Sequence, residues 1–170
     1  MTDEQKTKRA QQAVTRRAMD KATKEAWKER VDAHFAYLRT KYQFHIAKME
    51  NFWYVTRVVY CSSTTLINID RSVEFDRVEV SVARTENNVV SKDSLSNPLM
   101  IGPQTHLLDG ILAIRAPDLR KAVPSIKGLA EEQIETALAF WASTLNTYAE
   151  DVLQGSFAIF AELSAKYKTE

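Results

Sequence analysis

The sequence predicts an α+β domain: a long N-terminal helix or helical arm, an antiparallel meander of three or more strands, then C-terminal helices packed on one sheet face. Three observations carry that prediction. Residues 2–41 hold no Gly or Pro and are rich in Ala, Lys, Glu, Gln and Arg, all strong helix formers. Residues 52–84 read as strands, cleanest where Val78, Val80 and Val82 alternate with Arg77, Glu79 and Ser81. Residues 129–152 return to helical period, with Ile134, Leu138, Trp141, Leu145, Tyr148 and Val152 on one stripe.

Each element has its own signal. Thr2 followed by Gln5 fits a capping box at the first helix. From Trp27 onward, Val31, Phe35, Leu38 and Tyr42 continue one apolar stripe; before it the apolar positions are small (Ala10, Ala13, Val14, Ala18, Ala22), apart from Met19. An unbroken helix over the first 40 residues would run about 60 Å, longer than a domain of this size is wide. Residues 1–24 are therefore expected as a basic helical arm and residues 25–170 as one α+β domain.

The first strand is read over FWYVTRVVYCSS, with Trp53, Val55, Val59 and Cys61 on one face and Phe52, Tyr54, Val58 and Tyr60 on the other. Both faces are apolar, as in a strand covered on both sides. A second strand alternates Leu66, Asn68 and Asp70 against Thr65, Ile67 and Ile69. Ser62-Ser63 and Asp70-Arg71-Ser72 supply turn chemistry between strands. Residues 86–106 carry breakers (Asn87-Asn88, Asn97-Pro98, Gly102-Pro103) and read as irregular. Leu107–Ala116 reads as a short helix ended by Pro117, and Gly155 as a helix C-cap before a last helix with Phe157, Phe160, Leu163 and Tyr167.

Composition bounds the function. A chain of 170 residues, 45% hydrophobic and 26% charged, suits one domain with a real core. Four Gly and four Pro argue against a turn-rich sandwich or barrel. Cys61, the single cysteine, makes no internal disulfide, which favours a reducing cytoplasm. No run approaches the roughly 18 apolar residues that span a bilayer, so no membrane partner is expected. Net charge is +1, but residues 1–30 hold nine Lys/Arg against five Asp/Glu, and residues 129–170 hold two against seven. Such polarity lets the two ends of the chain lie together, or steers a partner.

No standard catalytic set is present. His34, His45 and His106 fall in three different elements without a second ligand at metal spacing. Cys61 lacks a nearby His or helix N-terminus to activate it. The dense cluster Asp70, Arg71, Glu74, Asp76, Arg77 and Glu79 could in principle hold Mg²⁺ for nucleic-acid cleavage. Ser81 stands where that chemistry places a lysine, two residues beyond Glu79, so the nuclease reading fails at its most diagnostic position. Gly-rich phosphate loops are absent from the sequence, and no cofactor or metal is expected. The basic residues Lys6, Lys8, Arg9, Arg16, Arg17, Lys21, Lys24 and Lys28 lie on several helix faces. No aromatic precedes Trp27 for base stacking, and the whole-chain charge gives little counterion-release drive for nucleic acid.

Two stretches, TTLINIDRSVEFDRVEVSV and TLNTYAEDVLQGSFAIFAEL, together with Tyr42-Gln43-Phe44, resemble a group of small bacterial α+β proteins, some similar to immunity proteins of toxin systems. The resemblance covers about a third of the chain, at packing and turn positions. It departs at Ser156, where the group tends to carry an acid after the glycine, and in the basic arm. It implies a cytoplasmic, non-enzymatic protein that occludes a toxin by binding it.

The expected contact residues are the polar side of the meander (Asp70, Arg71, Arg77, Glu79) and the acidic C-terminal helices (Glu131, Glu132, Glu135, Glu150, Asp151). The alternatives are a self-associating structural module, as a homo-oligomer through residues 1–24, and nucleic-acid binding by the same arm.

Overall fold

The computed structural model describes residues 3–52, 55–72, 77–85, 105–124 and 131–166. Helix α1 spans Asp3–Thr40, with a kink at Phe35, whose backbone leaves helical geometry (φ −109°, ψ 15°). It passes without interruption through residues 24 and 25, where the arm was expected to meet the domain. Its first buried residue among the described side chains is Trp27, followed by Val31, Phe35 and Leu38, all essentially inaccessible to solvent. That is the stripe expected from spacing, and Tyr42 packs half-buried at its end. Gln43 turns the chain with φ +59°, and the Phe44 N–H closes onto the Leu38 carbonyl at 2.9 Å.

Among the described residues, five antiparallel strands follow in the order of the chain: β1 His45–Phe52, β2 Val55–Cys61, β3 Thr65–Ser72, β4 Arg77–Arg84 and β5 Thr105–Leu107. The meander is thus larger than its three recognisable strands. The stretch read as one first strand is two, because Phe52 pairs with Val55 across a hairpin. Trp53 and Tyr54 lie outside the described residues, so their expected strand faces do too. Strand β1 escaped notice because the register slips between Ile46 and Lys48, which breaks a period of two. Strand β5, three residues long, exists only by pairing with Ser81–Ala83.

The expected turn at Asp70-Arg71-Ser72 is corrected. All three residues are in β3, whose pairing with β2 and β4 continues to Ser72. Ser62 does make its turn: its hydroxyl accepts from the Thr65 N–H at 3.1 Å, beside a backbone bond from Ser62 to the Thr65 carbonyl.

Among the described residues, three further helices and two four-residue turns of helix follow: α2 Leu108–Arg115, α3 Pro117–Arg120, α4 Glu131–Tyr148, α5 Glu150–Leu153 and α6 Ala158–Lys166. Pro117 does close α2, and it opens α3 from the first position, where its missing N–H costs nothing. The expected helix over 129–152 is divided at Ala149 (φ −130°, ψ 24°). Gly155, at φ +88°, ends α5 with bonds from Gly155 to the Val152 carbonyl and from Ser156 to the Asp151 carbonyl, a Schellman pattern.

One face of the sheet (Val58, Tyr60, Ile67, Ile69, Val78, Val80, Val82) packs with α1, α2, α4 and α6 in a single core. Two indoles fasten helices to strands: Trp27 Nε1 donates to the Ile69 carbonyl at 3.3 Å, and Trp141 Nε1 to the Val78 carbonyl at 2.9 Å. The opposite face carries a second, smaller cluster of Val59, Leu66 and Ala83.

Candidate interaction surfaces

Register places four charged side chains in one row across the second sheet face. Glu50 on β1 stands opposite Arg57 on β2, Arg57 opposite Asp70 on β3, and Asp70 opposite Glu79 on β4. The Arg57 guanidinium is 2% exposed and grips Asp70 with two bonds, Nε–Oδ1 at 2.6 Å and Nη2–Oδ2 at 2.5 Å. Lys48 pairs with Glu50, and Arg77 with Glu79 at 3.0 Å.

Burial works against the Arg57 charge, but Asp70, Glu50 and Glu79 outweigh it and hold its pKa above the ordinary range. Burial likewise pushes the Asp70 carboxyl up, with Arg57 opposing. Glu79 is raised by burial and by the neighbouring Asp70, against the pull of Arg77. The row is a structural ion network. Each of its carboxylates has a cationic partner, and Ser81 accepts from Asn68 Nδ2 at 3.0 Å beside it.

Two sequence expectations are corrected here. Asp70 is not an outward contact residue; it is buried against Arg57. Arg71 does not share its face, because it stands opposite Thr56 and Val78, on the helix-covered side. Successive strand residues point to opposite faces, so the two cannot form one patch. Arg57 was missed altogether, although a lone Arg among strand apolars, with an acid of matching parity 13 residues later, was a readable signal.

The acidic C-terminal helices spend their charge on the chain itself. Arg30 of α1 pairs with Glu131, and His34 Nε2 meets Glu135 Oε2 at 2.6 Å. Lys41 Nζ donates to Glu150 at 2.9 Å, and Tyr42 Oη donates to the same carboxylate at 3.0 Å. Arg115 forks onto Asp151 with two bonds of 2.6 Å and also reaches the Tyr148 carbonyl. These contacts draw Asp151 and Glu150 below the usual carboxylate range, chiefly through Arg115 and Lys41 respectively. Of the five acids expected to meet a partner, only exposed Glu132 has no ion pair among the described residues. The opposite charges of the two chain ends thus serve, in part, to seat α4 against α1.

Arg77 and Glu79 have a different setting. Strand β5 covers only Ser81–Ala83, so Arg77–Val80 run past its end. A pocket of about 200 Å³ opens there, lined by Arg77, Val78, Glu79, Val80, Leu107, Asp109, Val123, Pro124 and Trp141. Its walls are mainly apolar and its charged members are paired, Arg77 with Glu79 and Asp109 with Arg120. The sequence could not show this pocket, because it joins a strand edge, a helix face and a loop.

The histidines stay apart: His34 faces α4, His45 is exposed at the start of β1, and His106 is buried edge-on to Phe160 at 4.5 Å. Among the described residues, no group of three His, Cys, Asp or Glu side chains could hold a metal ion. Cys61 is buried, and burial pushes its thiol pKa up, away from nucleophilic use. No described helix is long and apolar enough to cross a membrane. Comparison with protein-family models, curated proteins and solved structures finds no match to this chain.

Proposed function

We propose that the protein acts by binding another protein, without catalysis, and that the pocket at the β4 edge receives an apolar side chain of the partner. The observation that carries this reading is the pocket's size and make-up. Small-molecule sites usually run about 300–1,000 Å³; this one is near 200 Å³, with an apolar floor around Trp141 and a charged rim of Arg77, Glu79 and Asp109. A buried anchor ringed by paired charge is how protein interfaces concentrate their affinity. In its more specific form the partner is a toxin and the protein a cytoplasmic, immunity-like inhibitor that occludes it. That form rests on the resemblance of the two sequence stretches.

A second reading, self-association through the N-terminal arm, draws on α1 running from Asp3 with Trp27 as its first buried residue among the described side chains. Both readings meet one experiment. The protein is titrated with the product of the neighbouring gene, as wild type, as Val123→Arg, and without residues 1–24. Loss of binding in Val123→Arg with binding kept on truncation supports the pocket. The reverse pattern, with a smaller mass in sedimentation on truncation, supports the arm. Unchanged binding in both variants refutes both.

A further inference from the structure

Among the described residues, Arg71 is a cation without a counter-charge. On the helix-covered face of β3, its side chain is partly buried, and its Nε is fully buried without a hydrogen-bond partner. Among the described residues it makes no ion pair. Its charged neighbour is another arginine. Trp27 of α1 bonds the backbone of Ile69, two residues before Arg71 on the same strand face. One turn further along α1 comes Arg30, whose Nη1 is also buried and unbonded, while its Nη2 holds Glu131. Burial and the Arg30 charge both press the Arg71 pKa down, so neither group relieves the other. Two guanidinium groups, each with a buried and unbonded N–H donor, thus lie near the point where Trp27 fastens α1 to β3 and Arg30 holds the first turn of α4.

We infer that Arg30 and Arg71 form a binding site for one oxyanion group, a carboxylate or a phosphate, bridged between their unused N–H donors. A half-buried guanidinium binds such oxygens with charge-assisted, directional bonds. The ligand would supply what the chain omits at Arg71, while Glu131 and Glu135 keep Arg30 in place. The site is separate from the β4-edge pocket, and its test does not depend on that reading.

The experiment follows the Arg Nε–Hε resonances of the full chain during titration with sodium phosphate, sodium acetate or sodium chloride at equal ionic strength. A saturable shift at the Arg71 signal with phosphate alone assigns a phosphate-type ligand, and with acetate a carboxylate. Thermal unfolding is run in parallel on wild type, Arg71→Gln and Lys121→Gln. The effective oxyanion should raise Tm in wild type and Lys121→Gln, and its affinity should fall about tenfold or more in Arg71→Gln. Without oxyanion, Arg71→Gln should unfold no earlier than wild type, since it removes a charge that no described residue compensates. A shift that matches chloride and never saturates overturns the site. So does an Arg71→Gln protein that loses several degrees of Tm in plain buffer, which would make Arg71 a structural residue.

Discussion

Arg57 and Asp70 face each other across β2 and β3, joined by two bonds of 2.6 and 2.5 Å, with both side chains buried. A buried pair of this kind is held together by the cost of breaking it more than by its net gain. Asp70→Ala should therefore cost about 3–5 kcal/mol by removing the two bonds that hold the buried Arg57 guanidinium. The double variant Arg57→Met/Asp70→Leu should recover most of that loss. Urea unfolding of the three proteins measures it, and a double variant as weak as Asp70→Ala would show the pair to be net stabilising.

Two carboxylates should bend the pH profile in opposite directions. The native pKa of Glu79 is raised above its ordinary 4.5, so the folded chain holds that proton more tightly than the unfolded chain. Its contribution to stability falls as pH rises from about 4.5 through the native value. Glu79→Gln should be more stable than wild type at pH 7 and lose that advantage near pH 4. Asp151 is lowered below 3.8, mainly by Arg115, so its contribution is present above that value and fades as pH falls through the native one. Asp151→Asn should weaken the fold slightly at pH 7, as exposed pairs do, and not at pH 3. Denaturation midpoints from pH 3 to 8 test both slopes.

Backbone conformation makes two further substitutions opposite in sign. Gln43 occupies φ +59°, which a side chain adopts at a cost, and Gln43→Gly should stabilise by about 1 kcal/mol. Gly155 sits at φ +88°, and a Cβ there would come within 2.8 Å of Thr64 Oγ1. Gly155→Ala should cost about 1–2 kcal/mol through strain alone, and more if Thr64 cannot move. Thermal unfolding separates the two, and equal Tm values would contradict both.

Long elements were legible and short ones were not. The stripe Trp27, Val31, Phe35, Leu38 and the alternation Val78, Val80, Val82 could be read because a period repeated several times outweighs local noise. Strand β5 has three residues and β1 a register slip, so neither shows a period. Of the expected contact residues, Arg77 and Glu79 line the pocket, whereas Glu131, Glu135, Glu150 and Asp151 are bound to α1, to the turn that follows it, or to α2. Residue type marks a charge; it does not say which side chain will neutralise it.

By itself, then, the chain determined an α+β class, an N-terminal helix with its core stripe, the valine strand and the helices that follow, because each depends on the spacing of neighbours. Tertiary structure alone decided that Asp70 meets Arg57 in the interior, that Arg71 lies on the other face beside Arg30, and that a pocket opens where β4 outruns β5. Those outcomes depend on strand register, and register emerges only when distant segments pair.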